Sequence, residues 1–226
     1  LRLEDPYNKA RTGLVVLENT HNWAGGVVVP AAMSGDLCRE LRQRNVRSHL
    51  DGARIFNAAT ALGCDVRDLS DGFDSLMFCL SKGLGAPVGS LLLGDREFIH
   101  RARITRKMLG GGMRQAGVLA AAGLVALEKG PERLAEDHAN ARFLAEGLAT
   151  IAGVTLDPAV VSTNIVVFSV VGAELDAPQT VAKLRERNVL ASALDRWTLR
   201  MVTHCDVDRT ACEEALFALR AVMERE

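Results

Sequence analysis

Four short strand-like segments near the start of this chain, each closed by polar or glycine-rich residues, restrict what it can fold into: the apolar runs Leu14–Glu18, Ser75–Cys79 and Val88–Leu93, and the alternating Val46–Asp51. Runs of this length suit buried strands rather than helices. Between the first two, Ser34–Arg44 places Leu37 and Leu41 at helical spacing, and Phe56–Leu62 reads as a helix before the third. Strands interleaved with helices imply βαβ units and a largely parallel sheet. Such sheets bind ligands at the C-terminal ends of their strands. His21, Asp51 and Lys82 each stand just after an expected strand.

Further along, Met113–Lys129 is rich in Ala and Gly and stops at Gly130-Pro131, a C-terminal glycine followed by a first-turn proline. Glu132–Ala149 is amphipathic, with Leu134, Ala141, Leu144 and Leu148 on one face. After Gly153 the character changes. Asn164–Val170 reads as a strand, and Asp176-Ala-Pro-Gln179 as a capping box opening a helix to about Arg187. Val189–Ala193 and Thr198–Thr203 read as short strands, and Asp208–Arg225 as a closing helix. The expected fold is therefore α/β, with a mostly parallel large domain over residues 1–150 and a small α+β domain over 151–226.

Composition removes several functions. The net charge of -1 and pI near 6.6 give no global attraction to nucleic acid or an anionic membrane. Aromatics at 4% leave little material for stacking on single-stranded bases. The longest apolar run, Ala116–Leu127, falls short of the roughly 20 residues that span a bilayer and reads as a buried helix of small residues. The five cysteines are scattered without a C-x-x-C pair, which points to reduced, mostly buried thiols in a reducing, cytoplasmic compartment. No His, Cys, Asp and Glu group has metal-ligand spacing, so no metal is expected. The start, Leu1-Arg2-Leu3, has neither an initiating Met nor a signal peptide, so the chain is expected to begin in mid-protein.

Five segments carry chemistry. In Ser81-Lys82-Gly83-Leu84-Gly85-Ala86-Pro87-Val88-Gly89, a lysine closes a buried strand among glycines that let backbone approach a ligand. Partial desolvation there would free a nucleophilic amine for Schiff-base chemistry; a surface lysine in a glycine-rich turn is the other reading. In His49-Leu50-Asp51-Gly52-Ala53-Arg54, Asp51 precedes Lys82 by 31 residues, one helix and one strand earlier. Its carboxylate can serve a ring nitrogen, or it can cap the next helix with Arg54 as its ion-pair partner. Leu17-Glu18-Asn19-Thr20-His21-Asn22 puts a polar cluster directly after a strand, with His21 as a proton carrier, a hydrogen-bond donor or a structural histidine. Gly110-Gly111-Gly112 would open a helix and offer N–H groups to an anion, with Lys107 and Arg114 adding charge; taken alone, the segment reads better as a helix–loop–helix junction with solvated basic residues. Arg200, on the late strand Leu199–His204, needs an anion, which a substrate carboxylate or a structural acid can supply.

Together the strings L-E-N-T-H-N, H-L-D-G-A-R, S-K-G-L-G-A-P-V-G and R-K-M-L-G-G-G-M-R-Q-A-G, in this order, resemble the threonine aldolases, which are pyridoxal-phosphate (PLP) enzymes of fold type I. The resemblance runs from about Leu14 to His204. It implies that Lys82 carries PLP as a Schiff base, that Asp51 pairs with the pyridine nitrogen, and that Arg54 lies near the 3'-oxygen or the substrate carboxylate. It implies that Arg200 clamps that carboxylate, that His21 sits near the β-hydroxyl, and that Lys107 and Arg114 surround the phosphate. The implied reaction cleaves threonine or allo-threonine to glycine and acetaldehyde, in a homotetramer built from dimers. Family members continue upstream of this start, with a phosphate-binding loop and a ring-stacking histidine, so the large domain is expected to be incomplete at its N-terminus. Two other readings stay open: a β-eliminating PLP lyase of the same fold, and a non-catalytic remnant that acts only as an oligomer partner.

Overall fold

In the computed structural model the four expected strands of the first part of the chain pair in sequence order, each with the next. The structure describes residues 1–3, 7, 9–171 and 175–224. In chain order, strand β1 (Leu14–Glu18) is followed by helix α1 (Ala31–Gln43) and strand β2 (Arg47–Asp51). Helices α2 (Ile55–Leu62) and α3 (Val66–Ser70) lead to strands β3 (Ser75–Cys79) and β4 (Ser90–Gly94). Helices α4 (Arg96–Met108) and α5 (Gly117–Leu148) follow. Then come β5 (Val154–Thr155), β6 (Ile165–Val170), α6 (Ala177–Arg185), β7 (Ser192–Ala193), β8 (Thr198–Val202) and α7 (Arg209–Met223).

The chain divides into two compact units. The first contains residues 1–20 and 29–131; the second contains 21–28 and 132–226.

In the first unit the sheet order is β1-β2-β3-β4. β1, β2 and β3 run parallel, with Glu18 opposite Asp51 and Asp51 opposite Met77. β4 returns antiparallel to β3, Cys79 facing Ser90, because only a glycine-rich loop separates them and a tight reversal forces antiparallel pairing. In β2 the alternation is visible as burial: Ser48 and Leu50 point into the interior while His49 and Asp51 are half-buried. α1 buries Ser34, Cys38 and Leu41, a helical stripe, and α2 ends on Gly63 in the left-handed region that glycine tolerates.

In the second unit the sheet order is β5-β6-β8-β7, antiparallel throughout. Its core combines Val166, Phe168 and Val170 of β6, Leu199 and Met201 of β8, and faces of α6, α7 and the later part of α5. The expected capping box is present at α6. The Asp176 side chain accepts from the Gln179 backbone N–H, and the Asp176 N–H donates to Gln179 Oε1. Asp208 caps α7 by accepting from Ala211 N–H at 2.8 Å.

Three expectations are corrected. Gly130-Pro131 does not separate two helices; α5 runs through it, with Pro131 inside. Proline removes one helical hydrogen bond, yet the helix persists. A Cβ on Gly130 would stand 2.8 Å from the Leu84 carbonyl oxygen, so that position admits only glycine for close packing rather than for chain reversal. The glycines 110–112 do not open a helix. They follow α4, and the N–H groups of Gly110 and Gly111 donate to the carbonyls of Lys107 and Arg106 at its C-terminal end. Those donors are committed to capping and are not offered to an anion. Finally, the run Ala116–Leu127 is not a buried helix: Val118, Leu124 and Val125 are exposed, and among its side chains Ala126 is the buried one. No helix of the described residues is long and apolar enough to cross a membrane.

Candidate active site

In the first unit, parallel pairing of β1, β2 and β3 brings their C-terminal ends to one edge of the sheet. Asp51 is the last residue of β2, half-buried, and its Oδ1 accepts from the Ala53 N–H at 3.1 Å. It is not the cap of α2: that position is taken by Arg54, without a side-chain cap. Arg54 is half-buried there. Beside Asp51, the Asn19 N–H donates to the Asp51 carbonyl at 2.9 Å. Asn19 also closes its own loop, donating from Nδ2 to the Val29 carbonyl at 2.9 Å and accepting from Val29 N–H at 3.2 Å. Next in sequence, Thr20 is buried, and its Oγ1 has no hydrogen-bond partner. A buried hydroxyl without a partner is costly, which suits a strand end shaped for an added polar group.

Lys82 lies in the loop that turns β3 into β4. That loop is held by Leu80 N–H to the Gly89 carbonyl, Ala86 N–H to the Leu80 carbonyl and Gly85 N–H to the Lys82 carbonyl, each at 2.9–3.0 Å. Gly85 and Gly89 have positive φ of 82° and 118°. The buried residues of this loop are Leu80, Leu84 and Ala86, so the lysine is directed outward. Of the two readings of Lys82, the structure shows the lysine of a glycine-rich turn, with its side chain exposed rather than partly desolvated. On the face of β2 shared with Asp51, His49 Nδ1 lies 2.8 Å from Ser75 Oγ. Burial pushes its pKa below the usual histidine value, against the opposing pull of Asp51. Lys107, in the last turn of α4, and Arg114, just before α5, are exposed. An open groove of about 590 Å³ runs between β4 and α4, lined by Leu91, Leu92, Ile99, Arg103 and Arg106 among others, and includes none of the expected site residues.

The donor set at this edge fits PLP chemically. A primary amine, a carboxylate and an arginine are what the cofactor's aldehyde, ring nitrogen and oxyanions require.

In the second unit, His21 and Arg200 are held by one small turn. The His21 N–H donates to the Val27 carbonyl at 3.0 Å, and Gly26 N–H returns to the His21 carbonyl at 2.9 Å. His21 Nδ1 accepts from the Ala24 N–H at 3.1 Å. A backbone amide can only donate, so the neutral imidazole carries its proton on Nε2. Arg200, half-buried on β8, donates from Nη1 to Asn22 Oδ1 at 2.9 Å. Its Nε is buried without a partner, and no carboxylate among the described residues pairs with it. Of the two readings of Arg200, the structural ion pair is thus absent among the described residues. Asn22 is the residue that sequence reasoning left without a role; its position beside His21 in L-E-N-T-H-N was the one signal for it.

Spacing alone offered no metal cluster, but an exposed turn after β8 brings ligand-type atoms of His204, Cys205 and Asp206 within 4.8 Å of one another. The residues are consecutive, and His204 Nδ1 already accepts from the Asp206 N–H at 3.3 Å, which accounts for their proximity. All five cysteines are free; Cys38 and Cys212 are buried, Cys64 and Cys79 half-buried and Cys205 exposed.

Comparison with known proteins follows the same outline. The chain is 46% identical over 221 residues to the low specificity L-threonine aldolase of Escherichia coli K12. That alignment covers 98% of this chain and 63% of the relative, so the chain spans under two thirds of the length of the relative it matches. Among solved structures, a PLP-dependent aminotransferase from Streptococcus suis superposes with a TM-score of 0.72 at 15% identity, over 96% of this chain and 59% of that one. The Leishmania major threonine aldolase superposes with a TM-score of 0.69 at 17% identity, over 93% and 61%. At such identities the likeness concerns the fold alone, which is that of the fold type I PLP enzymes. The sequence itself matches the β-eliminating lyase family over residues 2–171, and the chain belongs to that family.

Proposed function

We propose that the protein is a PLP-dependent threonine aldolase that cleaves L-threonine and L-allo-threonine to glycine and acetaldehyde. The observation that carries this reading is Arg200. Its half-buried guanidinium is oriented by a neutral amide, has no carboxylate partner among the described residues and keeps a buried N–H unmet. Such a group is a receptor for an amino-acid carboxylate. The E. coli relative, named for threonine, supports the substrate class.

PLP, when bound, supplies an electron sink for the pair released as the Cα–Cβ bond breaks. Lys82 would hold its aldehyde carbon, Asp51 its ring nitrogen, Arg54 its 3'-oxygen, and Lys107 and Arg114 its phosphate. Arg200 fixes the substrate by its carboxylate, which converts binding energy into orientation. His21, with its proton on Nε2, acts as a donor toward the β-hydroxyl oxygen rather than as the group that takes the hydroxyl proton. That proton leaves to a water as the carbonyl of acetaldehyde forms, and Cα regains one to give glycine. We assign residues 1–150 to the cofactor-holding domain and 151–226 to the small domain, while packing draws 21–28 and 132–150 into the second compact unit. The two separate sheets support this, since β4 ends at Gly94 and β5 starts at Val154. A cytoplasmic homotetramer working in threonine breakdown and glycine supply completes the proposal; the exposed apolar residues of β4 and α5 support assembly, and the free cysteines support a reducing compartment.

The test is product analysis with threonine and allo-threonine as substrates. Acetaldehyde and glycine in equal amounts support the aldolase. Pyruvate and ammonia from serine, without acetaldehyde from threonine, would move the protein to β-elimination.

A further inference from the structure

Arg200 is held by a device that residue spacing does not reveal. The segment His21–Val28 belongs to the second unit although 103 residues of the first separate it from the rest. It is seated on the sheet at two adjacent glycines, Gly25 and Gly26, with φ of 77° and 80°. A Cβ on Gly26 would stand 2.4 Å from Thr163 Oγ1 and 3.3 Å from Ile165 Cβ; one on Gly25 would meet Val167 at 3.6 Å. Thr163 Oγ1 also donates to the Gly26 carbonyl at 3.0 Å. Val167 is the residue opposite Arg200 across β6 and β8. The turn is thus clamped directly beside the arginine, and Asn22 reaches Nη1 from it at 2.9 Å.

The chemistry of the contact is specific. Arginine presents five N–H donors in a planar fork. Engaging Nη1 with an amide oxygen fixes the plane without cancelling the charge, whereas a carboxylate at the same place would neutralise it. Nε, buried and without a partner, is then left for a ligand acceptor. We propose that Asn22 is a positioning residue that orients Arg200 so that its Nε edge receives the carboxylate of an amino-acid substrate. This rests on the reading of Arg200 as the carboxylate-binding arginine.

The test follows the arginine Nε–H signals in ¹H–¹⁵N spectra of the PLP-supplied protein during titration with glycine. In the wild type one dispersed Nε–H, absent from Arg200→Lys, should shift on saturation. Asn22→Ala should broaden that signal and weaken glycine binding by about tenfold, the value of one charge-assisted hydrogen bond. Asn22→Asp should keep the signal sharp, because an acceptor remains, yet bind glycine more weakly than Asn22→Ala, because the charge is cancelled. Unchanged glycine affinity in Asn22→Ala would overturn the positioning role and leave Arg200 as the receptor. Equal behaviour of the Ala and Asp variants in both signal and affinity would reduce Asn22 to a structural residue. If Arg200→Lys binds glycine as the wild type does, or the wild type does not bind it, the reading of Arg200 falls and the proposal with it.

Discussion

β6 and β4 are both rich in large aliphatic residues, yet one is sealed and the other open. In the second unit, β6 lies between β5 and β8, and Phe168 is 2% exposed. In the first, β4 is an edge strand, and Leu91, Leu92 and Leu93 are each more than 40% exposed. A continuous apolar run on a strand satisfies the condition for burial on both faces, but burial requires elements to cover them. The second unit supplies that cover from α5, α6 and α7. The neighbouring helix α4 buries no residue at all.

Core substitutions break this contrast most directly. Phe168→Ala removes a fully enclosed ring and should destabilise the protein by about 3–5 kcal/mol in urea unfolding; a loss below about 1 kcal/mol would show that the β6 core is not sealed. Next in size is Arg133→Met. Asp137 is fully buried, and Arg133 meets both its oxygens at 2.9 and 3.1 Å. Removing the cation leaves a buried charge unmatched, at a cost of about 3 kcal/mol.

A smaller effect is read through pH, in both units. Burial lowers the pKa of His49 in the first unit and His138 in the second, outweighing the pull of Asp51 and Asp137. The unfolded chain protonates each near the ordinary histidine value of about 6.5, before the folded chain does. Their contribution to stability is therefore complete above that pH and is lost as pH falls below it toward the folded pKa. His138→Gln should flatten the decline of the urea midpoint between about pH 7.5 and about pH 5.5. An unaltered slope would place the proton uptake elsewhere. Smallest is Leu92→Ser, expected within about 0.5 kcal/mol of the wild type because the side chain already meets solvent.

The same contrast explains what could be read from the residues alone. β1 and β3 begin and end where their apolar runs do, and the α6 capping box follows from Asp176 and Gln179 three positions apart, because both signals are local. Asp51 and Lys82 were legible as strand-end residues for the same reason. Coverage is not local: nothing within Ala116–Leu127 says which of its faces meets another element, and the residues near Lys82 admit both a desolvated and a surface lysine without deciding between them. The close packing that requires glycine at 130 is set by Leu84, distant in sequence, and so could not be read from Gly130-Pro131 alone. The bond between Asn22 and Arg200 joins residues 178 positions apart and is invisible to any periodicity.

The proposed role of Lys82 as the PLP-holding lysine is tested directly by the absorbance spectrum of the protein with PLP, before and after borohydride. The wild type should show a visible band that borohydride fixes to the chain, and Lys82→Ala should show neither band nor fixation. A folded wild-type protein without that band, or a Lys82→Ala variant that keeps it, would rule out Lys82 as the PLP-holding residue.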